Sequence, residues 1–203
     1  MINEKIKHII QAGDPVSFSR DSVDWILLDV GFAGRQATGA FGKTMGLRLP
    51  QNSYSGEVTW ANGVKKIVDL CSSNNGELNL MLEAPLSASF DETGNPAPRK
   101  FEKRGTSTRY WYLQGGVVTL LSSAYLISEL VKKSKCKLHL YEAFVSFKDK
   151  IQTHSEDADL MLNAAQSLDP LSEEHIRQKA SDSLEAVTSR FGLDYGIPPV
   201  FII

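Results

Sequence analysis

The sequence predicts an α/β fold with a mixed central sheet, and three observations carry that prediction. Short, nearly continuous apolar runs recur at 25–30 (WILLDV), 78–82 (LNLML) and 137–145 (KLHLYEAFV). Each is too short for a helix and apolar on both sides, as strands covered on both faces are. Between and after them stand longer stretches whose apolar residues fall at helical spacing. Alternation of this kind stacks helices onto a sheet.

Taken in order, residues 1–22 read as a short amphipathic helix on Ile2, Ile6, Ile9 and Ile10, ending near Gly13-Asp14-Pro15. WILLDV is the first core strand. Met45, Leu47 and Leu49 then alternate before Pro50, which predicts a second strand with no room for a helix. Ser53 to Val58 predicts a third short strand. Val64, Ile67, Val68 and Cys71 place a helix over 60–72, and Asn74-Asn75-Gly76 a turn after it. LNLML is the next core strand and delivers Glu83 at its end. Residues 84–108, rich in Pro, Gly and charge, read as a long loop or insertion. A long helix is expected over 110–133, with Gly115-Gly116 weakening its start. KLHLYEAFV is another core strand. Helices are then expected from Ser155 to Leu168 and from Ser172 to about Arg190, before an extended apolar tail, GIPPVFII.

The length of 203 residues and formal charge of −2 fit a single domain over 1–203. A near-neutral balance excludes a strongly basic nucleic-acid coat but not a local basic patch. There is no run of about 18 apolar residues, so no membrane span is expected. The start, MINEKIKHII, has no cleavable apolar core. Cys71 and Cys136 stand far apart and in no ligand-like spacing, which predicts buried thiols in a reduced, cytoplasmic setting.

One motif invites a nucleotide. ATGAFGKT, residues 37–44, fits the Walker A pattern. A phosphate cradle, however, needs a helix N-terminus directly after it, where free N–H groups meet the phosphates. The strand pattern after Thr44 removes that component, so the match reads as chance.

The acids are more informative. Asp29 ends the first core run, Glu83 the LNLML strand, and Glu142 lies in the KLHLYEAFV strand; His154, Glu156, Asp157 and Asp159 open the helix that follows. A buried unpaired carboxylate costs several kcal/mol. Acids converging from separate strands would therefore require a cation, and oxygen ligands suit Mg²⁺ or Mn²⁺. Two such ions can activate a water and stabilise a leaving oxygen in phosphodiester hydrolysis. Strand-end acids also form ion pairs and cap helices, and that alternative stays open.

The pieces LLDVGFAG, MLEAPLS, LYEAF and HSEDADLMLNAAQ, in this order over about residues 24–168, resemble the RNase H-like superfamily. Within it the likeness is to RuvC-type resolvases and to the predicted RNase H-like nucleases. The resemblance implies a three-layer fold, a mixed sheet with helices on both faces. It also implies a metal-dependent nuclease whose site acids are Asp29, Glu83 and His154 or Asp157. Asp29 would bridge two metals, Glu83 and Asp157 would complete their shells, and Glu142 would assist. Helical geometry favours Asp157, in line with Met161 and Ala164, over Asp159, in line with Asn163 and Gln166. His154 is read either as a ligand or proton shuttle or as a solvent-exposed residue of the capping region. The Gly-rich hairpin after Asp29 and the length of 84–108 depart from the family pattern.

Within 95–112, NPAPRKFEKRGTSTRYWY, the basic residues Arg99, Lys100, Lys103, Arg104 and Arg109 precede Tyr110, Trp111 and Tyr112. Such a segment can meet phosphates and stack bases of DNA or RNA; equally, it can be a solvated loop leading into a helix. Three function classes follow: the nuclease, an ATP-binding protein using 37–44 or an actin-like Asp29-Val30-Gly31 turn, and a non-catalytic binding module. Pairing into a homodimer is compatible with each.

Overall fold

WILLDV sets the centre of the sheet because both of its faces are apolar apart from Asp29, so both can be covered. In the computed structural model, which describes residues 9–14, 23–31, 45–108, 115–145, 152–167, 184–186, 188 and 191–203, both faces are. The strands in chain order are β1 (Ile10–Ala12), β2 (Trp25–Val30), β3 (Met45–Arg48), β4 (Ser55–Val58), β5 (Glu77–Glu83), β6 (Ser87–Phe90), β7 (Pro96–Ala97), β8 (Lys103–Arg104), β9 (Ser107–Thr108), β10 (Lys137–Phe144), β11 (Leu184–Ala186) and β12 (Val200–Ile202). The helices are α1 (Trp60–Ser73), α2 (Gly115–Lys133) and α3 (His154–Ser167).

The main sheet runs β1-β10-β5-β2-β3-β4, and β12 joins β10 beyond the end of β1. Strands β1, β10, β5, β2 and β12 are mutually parallel where they pair, while β3 runs against both β2 and β4. Alternation then divides the core. Ile26, Leu28, Leu80, Leu82, Leu138 and Leu140 pack with Ile67 of α1 and Leu126, Ile127 and Leu130 of α2. Leu27, Met81, Tyr141 and Ala143 point the other way, to Met161 and Ala165 of α3. Each fully buried Leu or Ile contributes about 1.5–3 kcal/mol relative to exposure, so two such cores fix the sheet register from both sides. Asp29 has the parity of Leu27 and therefore faces α3.

The expected mixed α/β architecture is what the chain adopts, with three local differences among the described residues. Residues 10–12 form a strand, where the isoleucine spacing predicts a helix; Ile10 is fully buried and pairs with Leu138, so a non-local edge overrides local periodicity. Residues 184–186, expected inside a helix, pair antiparallel with β6. The 84–108 segment holds β6, β7, a 3₁₀ turn and the β8–β9 hairpin, which closes over Gly105 at φ +60°. The Gly-Thr pair between those strands is the two-residue hairpin signal that the composition of the segment hides. The long helix is described from Gly115 to Lys133, as expected there, and 109–114 lie outside the described residues. Residues 37–44, with Lys43, also lie outside them; a strand, not a helix, starts at Met45. No helix among the described residues is long and apolar enough to cross a membrane.

Candidate metal centre

The site grows from one row of the sheet. Asp29 pairs in register with Glu83 on one side and Gly46 on the other, and Gly46 with Glu57. Residues directly opposite each other share a face, so Glu83, Asp29, Gly46 and Glu57 all present toward α3. Two glycines make room for that helix. A Cβ on Gly46 would stand 1.8 Å from the carbonyl oxygen of His154, and one on Gly31 would stand 1.8 Å from His154 Cε1. The hairpin glycine that departs from a regular strand pattern is thus the seat of the α3 N-terminus.

A reciprocal cap fixes that terminus. Thr153 N donates to Glu156 Oε2 at 2.7 Å, Thr153 Oγ1 donates to the same oxygen at 2.9 Å, and Glu156 N donates to Thr153 Oγ1 at 3.3 Å. Threonine followed three residues later by glutamate is a capping box. It turns Glu156 outward and leaves His154 and Asp157 on the sheet-facing side. Asp157 N donates to Thr153 O at 3.0 Å, closing the first turn.

His154 Nδ1 lies 2.8 Å from Asp29 Oδ2. Asp29 is 1 % exposed and Asp157 is buried, while His154 is half-buried. One ligand atom from each of Asp29, His154 and Asp157 lies within 4.8 Å of the others. Asp29 Oδ1 is buried with no hydrogen-bond partner among the described residues. The hydrogen bond to Asp29 raises the pKa of His154 above its ordinary value, helped by the charges of Asp29, Asp157 and Glu57 and opposed by burial. The positive end of the α3 dipole adds a favourable field for the acids beside it. Two carboxylates and an imidazole make a donor set for a divalent cation. The nitrogen donor suits Mn²⁺ better than Mg²⁺, which prefers an all-oxygen octahedron.

The other predicted residues fall elsewhere. Glu83 is beside Asp29 in the row but outside the three-residue cluster. Asp159 pairs with Arg48 and is outside the three-residue cluster. Glu142, expected to assist at Asp29, faces the opposite side of the sheet: its neighbours Tyr141 and Ala143 belong to the α3 core. There Glu142 is fully buried, accepting from Leu86 N at 2.8 Å and from Arg99 Nη1 and Nη2 at 2.9 and 2.7 Å. Arg99 corrects the phosphate-binding expectation for the same reason. It is 3 % exposed, also donates from Nε to Glu102 Oε1 at 3.0 Å and from Nη1 to Ser87 Oγ at 2.8 Å, and stacks on Phe101. Burial raises the pKa of Glu102, with Arg99 pulling the other way. Lys103 is exposed on β8; Lys100 and Arg104 sit on the 3₁₀ turn and on β8. Arg109 and Tyr110, Trp111 and Tyr112 lie outside the described residues.

Sequence reasoning passed over Gly46, Glu57 and the Thr153–Glu156 cap, and named Gly31 only as part of a nucleotide-binding turn. Only the cap has a local signature, the T-x-x-E spacing. The others depend on pairing between strands. Compared with family models, with characterised proteins and with solved structures, the chain finds no match.

Proposed function

We propose that the chain is a metal-dependent nuclease of RNase H-like architecture, hydrolysing phosphodiester bonds of DNA or RNA with Mn²⁺ or Mg²⁺. The observation that carries this reading is the meeting of buried Asp29, its Oδ1 without a hydrogen-bond partner among the described residues, with His154 and Asp157. Burying an unsatisfied carboxylate oxygen costs free energy that a bound cation would return. The strand order β4-β3-β2-β5-β10, with β3 alone reversed, supports the architecture, since it sets Asp29 and Glu83 side by side at the carboxyl ends of parallel strands, where α/β sheets build sites.

Asp29, His154 and Asp157 would hold the ion, with Glu83 reaching in from the same row. A divalent cation there supplies Lewis-acid stabilisation of phosphoryl oxygens and a nucleophilic water at neutral pH. The chain's own part is positional. Strand β2 immobilises Asp29, the capped first turn of α3 aims His154 and Asp157, and the Asp29 hydrogen bond orients the imidazole. With Arg99 buried, exposed Lys103 on β8 would be the described residue of the basic segment that meets phosphates.

Labelled single-stranded and duplex DNA and RNA, incubated with Mn²⁺, Mg²⁺ or chelator, test the reading. Metal-dependent cleavage by the parent and none by Asp29→Asn is the expected result. A metal-induced rise in melting temperature without cleavage of any substrate would instead assign a metal-binding module.

A further inference from the structure

Cys71 and Cys136 lie on the other side of the sheet from the Asp29 centre, in the core shared by α1 and α2. Both are free and fully buried. Cys71 belongs to the last turn of α1 and Cys136 to the link between α2 and β10. Their main chains meet: the Cys71 carbonyl accepts from Lys135 N at 2.9 Å and from Cys136 N at 3.3 Å. Contact of that kind brings two Cα atoms into the range of about 4.4–6.8 Å that a disulfide spans. The side chains also turn toward each other, the Cys71 thiol hydrogen-bonding to the Cys136 sulfur, which lies 3.3 Å from Ser134 Oγ as well. The bond from Cys71, seconded by Ser134, lowers the Cys136 thiol to about 7 against the effect of burial. The same contact, together with burial, pushes the Cys71 thiol up. Cys136 is therefore the more readily ionised thiol of the pair, and Cys71 the one that keeps its proton.

We propose that Cys71 and Cys136 are a peroxide-oxidised pair that closes reversibly to an intrachain disulfide. The Cys136 thiolate attacks one oxygen of hydrogen peroxide; the O–O bond breaks, hydroxide leaves, and Cys136 becomes a sulfenic acid. The Cys71 sulfur then attacks Cys136 sulfur. The S–S bond forms as the S–O bond breaks, and the hydroxyl departs with the Cys71 proton as water. The two sulfurs together lose two electrons; the hydroxide of the first step takes up the proton that the Cys136 thiol released on ionising, so one peroxide becomes two waters. Peroxide is close to water in size, which suits a pair with no open approach. A dithiol reductant reverses the bond. The bridge would join the end of α1 to the start of β10 and enclose β5, the β6–β9 segment and α2, a long loop whose closure stabilises.

The experiment treats the native protein with hydrogen peroxide, alkylates remaining thiols after quenching, and reads intact mass, peptide map and melting temperature. The expected result is loss of two hydrogen masses, a Cys71–Cys136 cross-linked peptide, and a rise in melting temperature on the order of 10 °C that dithiothreitol reverses. Cys136→Ser should remove the mass loss. Two alkylatable thiols after treatment, a disulfide between chains, a sulfinic acid without cross-link, or an oxidised form that melts earlier than the reduced one would each overturn the proposal.

Discussion

Asp29 and Glu142 are both buried acids near the carboxyl ends of core strands, separated by β5 and facing opposite sides of the sheet. Around Glu142, a guanidinium fork and a backbone N–H meet the carboxylate, so both of its oxygens are paired within the chain. Around Asp29, one oxygen meets a histidine and the other meets nothing among the described residues. Burial alone therefore does not mark a functional acid. What distinguishes the two is a permanent cation: Arg99 supplies one at Glu142, and none of the described residues is shown pairing one with Asp29.

The largest effect should come from breaking the compensated side. Arg99→Met removes the cation shared by Glu142 and Glu102, both fully buried. Stranding buried charge in this way costs about 3–5 kcal/mol, a fall in melting temperature on the order of 10 °C for a chain of this size. Adding Glu142→Gln should recover part of it. A melting temperature equal to the parent's would show that the network carries no such charge.

On the uncompensated side the sign changes. Asn in place of Asp29 keeps an acceptor for His154 and removes the charge, so the metal-free melting temperature should stay near or above that of the parent. The parent should gain about 2.7 kcal/mol at Mn²⁺ a hundredfold above its Kd, and Asp29→Asn should gain nothing. Calorimetric scans with and without Mn²⁺ read both quantities. A large metal-free loss in Asp29→Asn would make Asp29 a structural acid like Glu142.

A smaller effect should follow from lifting α3 off its seat. The methyl of Gly46→Ala meets main chain, which cannot swing aside. Overpacking of this kind costs about 1–3 kcal/mol, and the Mn²⁺ response should weaken because His154 and Asp157 move with the helix. An unchanged Mn²⁺ response would separate the helix seat from the metal ligands.

How far each side was legible in the sequence follows from the range of its contacts. Strands β2, β5 and β10 announce themselves because a doubly covered strand is apolar throughout. Asp157 could be preferred to Asp159 because its line with Met161 is a property of the helix alone. The identity of Arg99 as a core residue could not be read: its partner Glu142 is distant in the chain, and neighbouring Lys100 and Lys103 make it look like part of a solvated basic run. Strand β1 was illegible for the same reason, since three residues acquire strand character only from the edge of β10. The row from Glu83 to Glu57 is visible only after pairing, so Glu57 and the two glycines had no local signal. The positions of Asp29 and Glu83 at strand ends could be read from the apolar runs, and their pairing in register follows from β2 lying beside β5; the side of the sheet that Glu142 faces could not be read.

A third acid sets the scale for the other two. Glu77, at the opposite end of β5 from Glu83, also pairs with a histidine: its Oε2 lies 2.8 Å from His139 Nε2, with Lys137 at 3.6 Å. Like Asp29 it is an acid–histidine pair, but Glu77 is exposed. The hydrogen bond to His139 lowers the Glu77 pKa, burial opposes it, and the Lys137 charge adds to the lowering. A lowered pKa means the folded chain holds this proton less tightly than the unfolded chain. The pair therefore stabilises above the ordinary glutamate range and loses its contribution as pH falls through the lowered value. Solvent and salt screen such a pair to about 0.2–1 kcal/mol. Glu77→Gln should accordingly melt only slightly below the parent at pH 7, with the gap closing as the pH falls below about 4 and shrinking in high salt. Melting curves across pH, at low and high salt, measure it; a gap that widens toward acid would reverse the assigned sign.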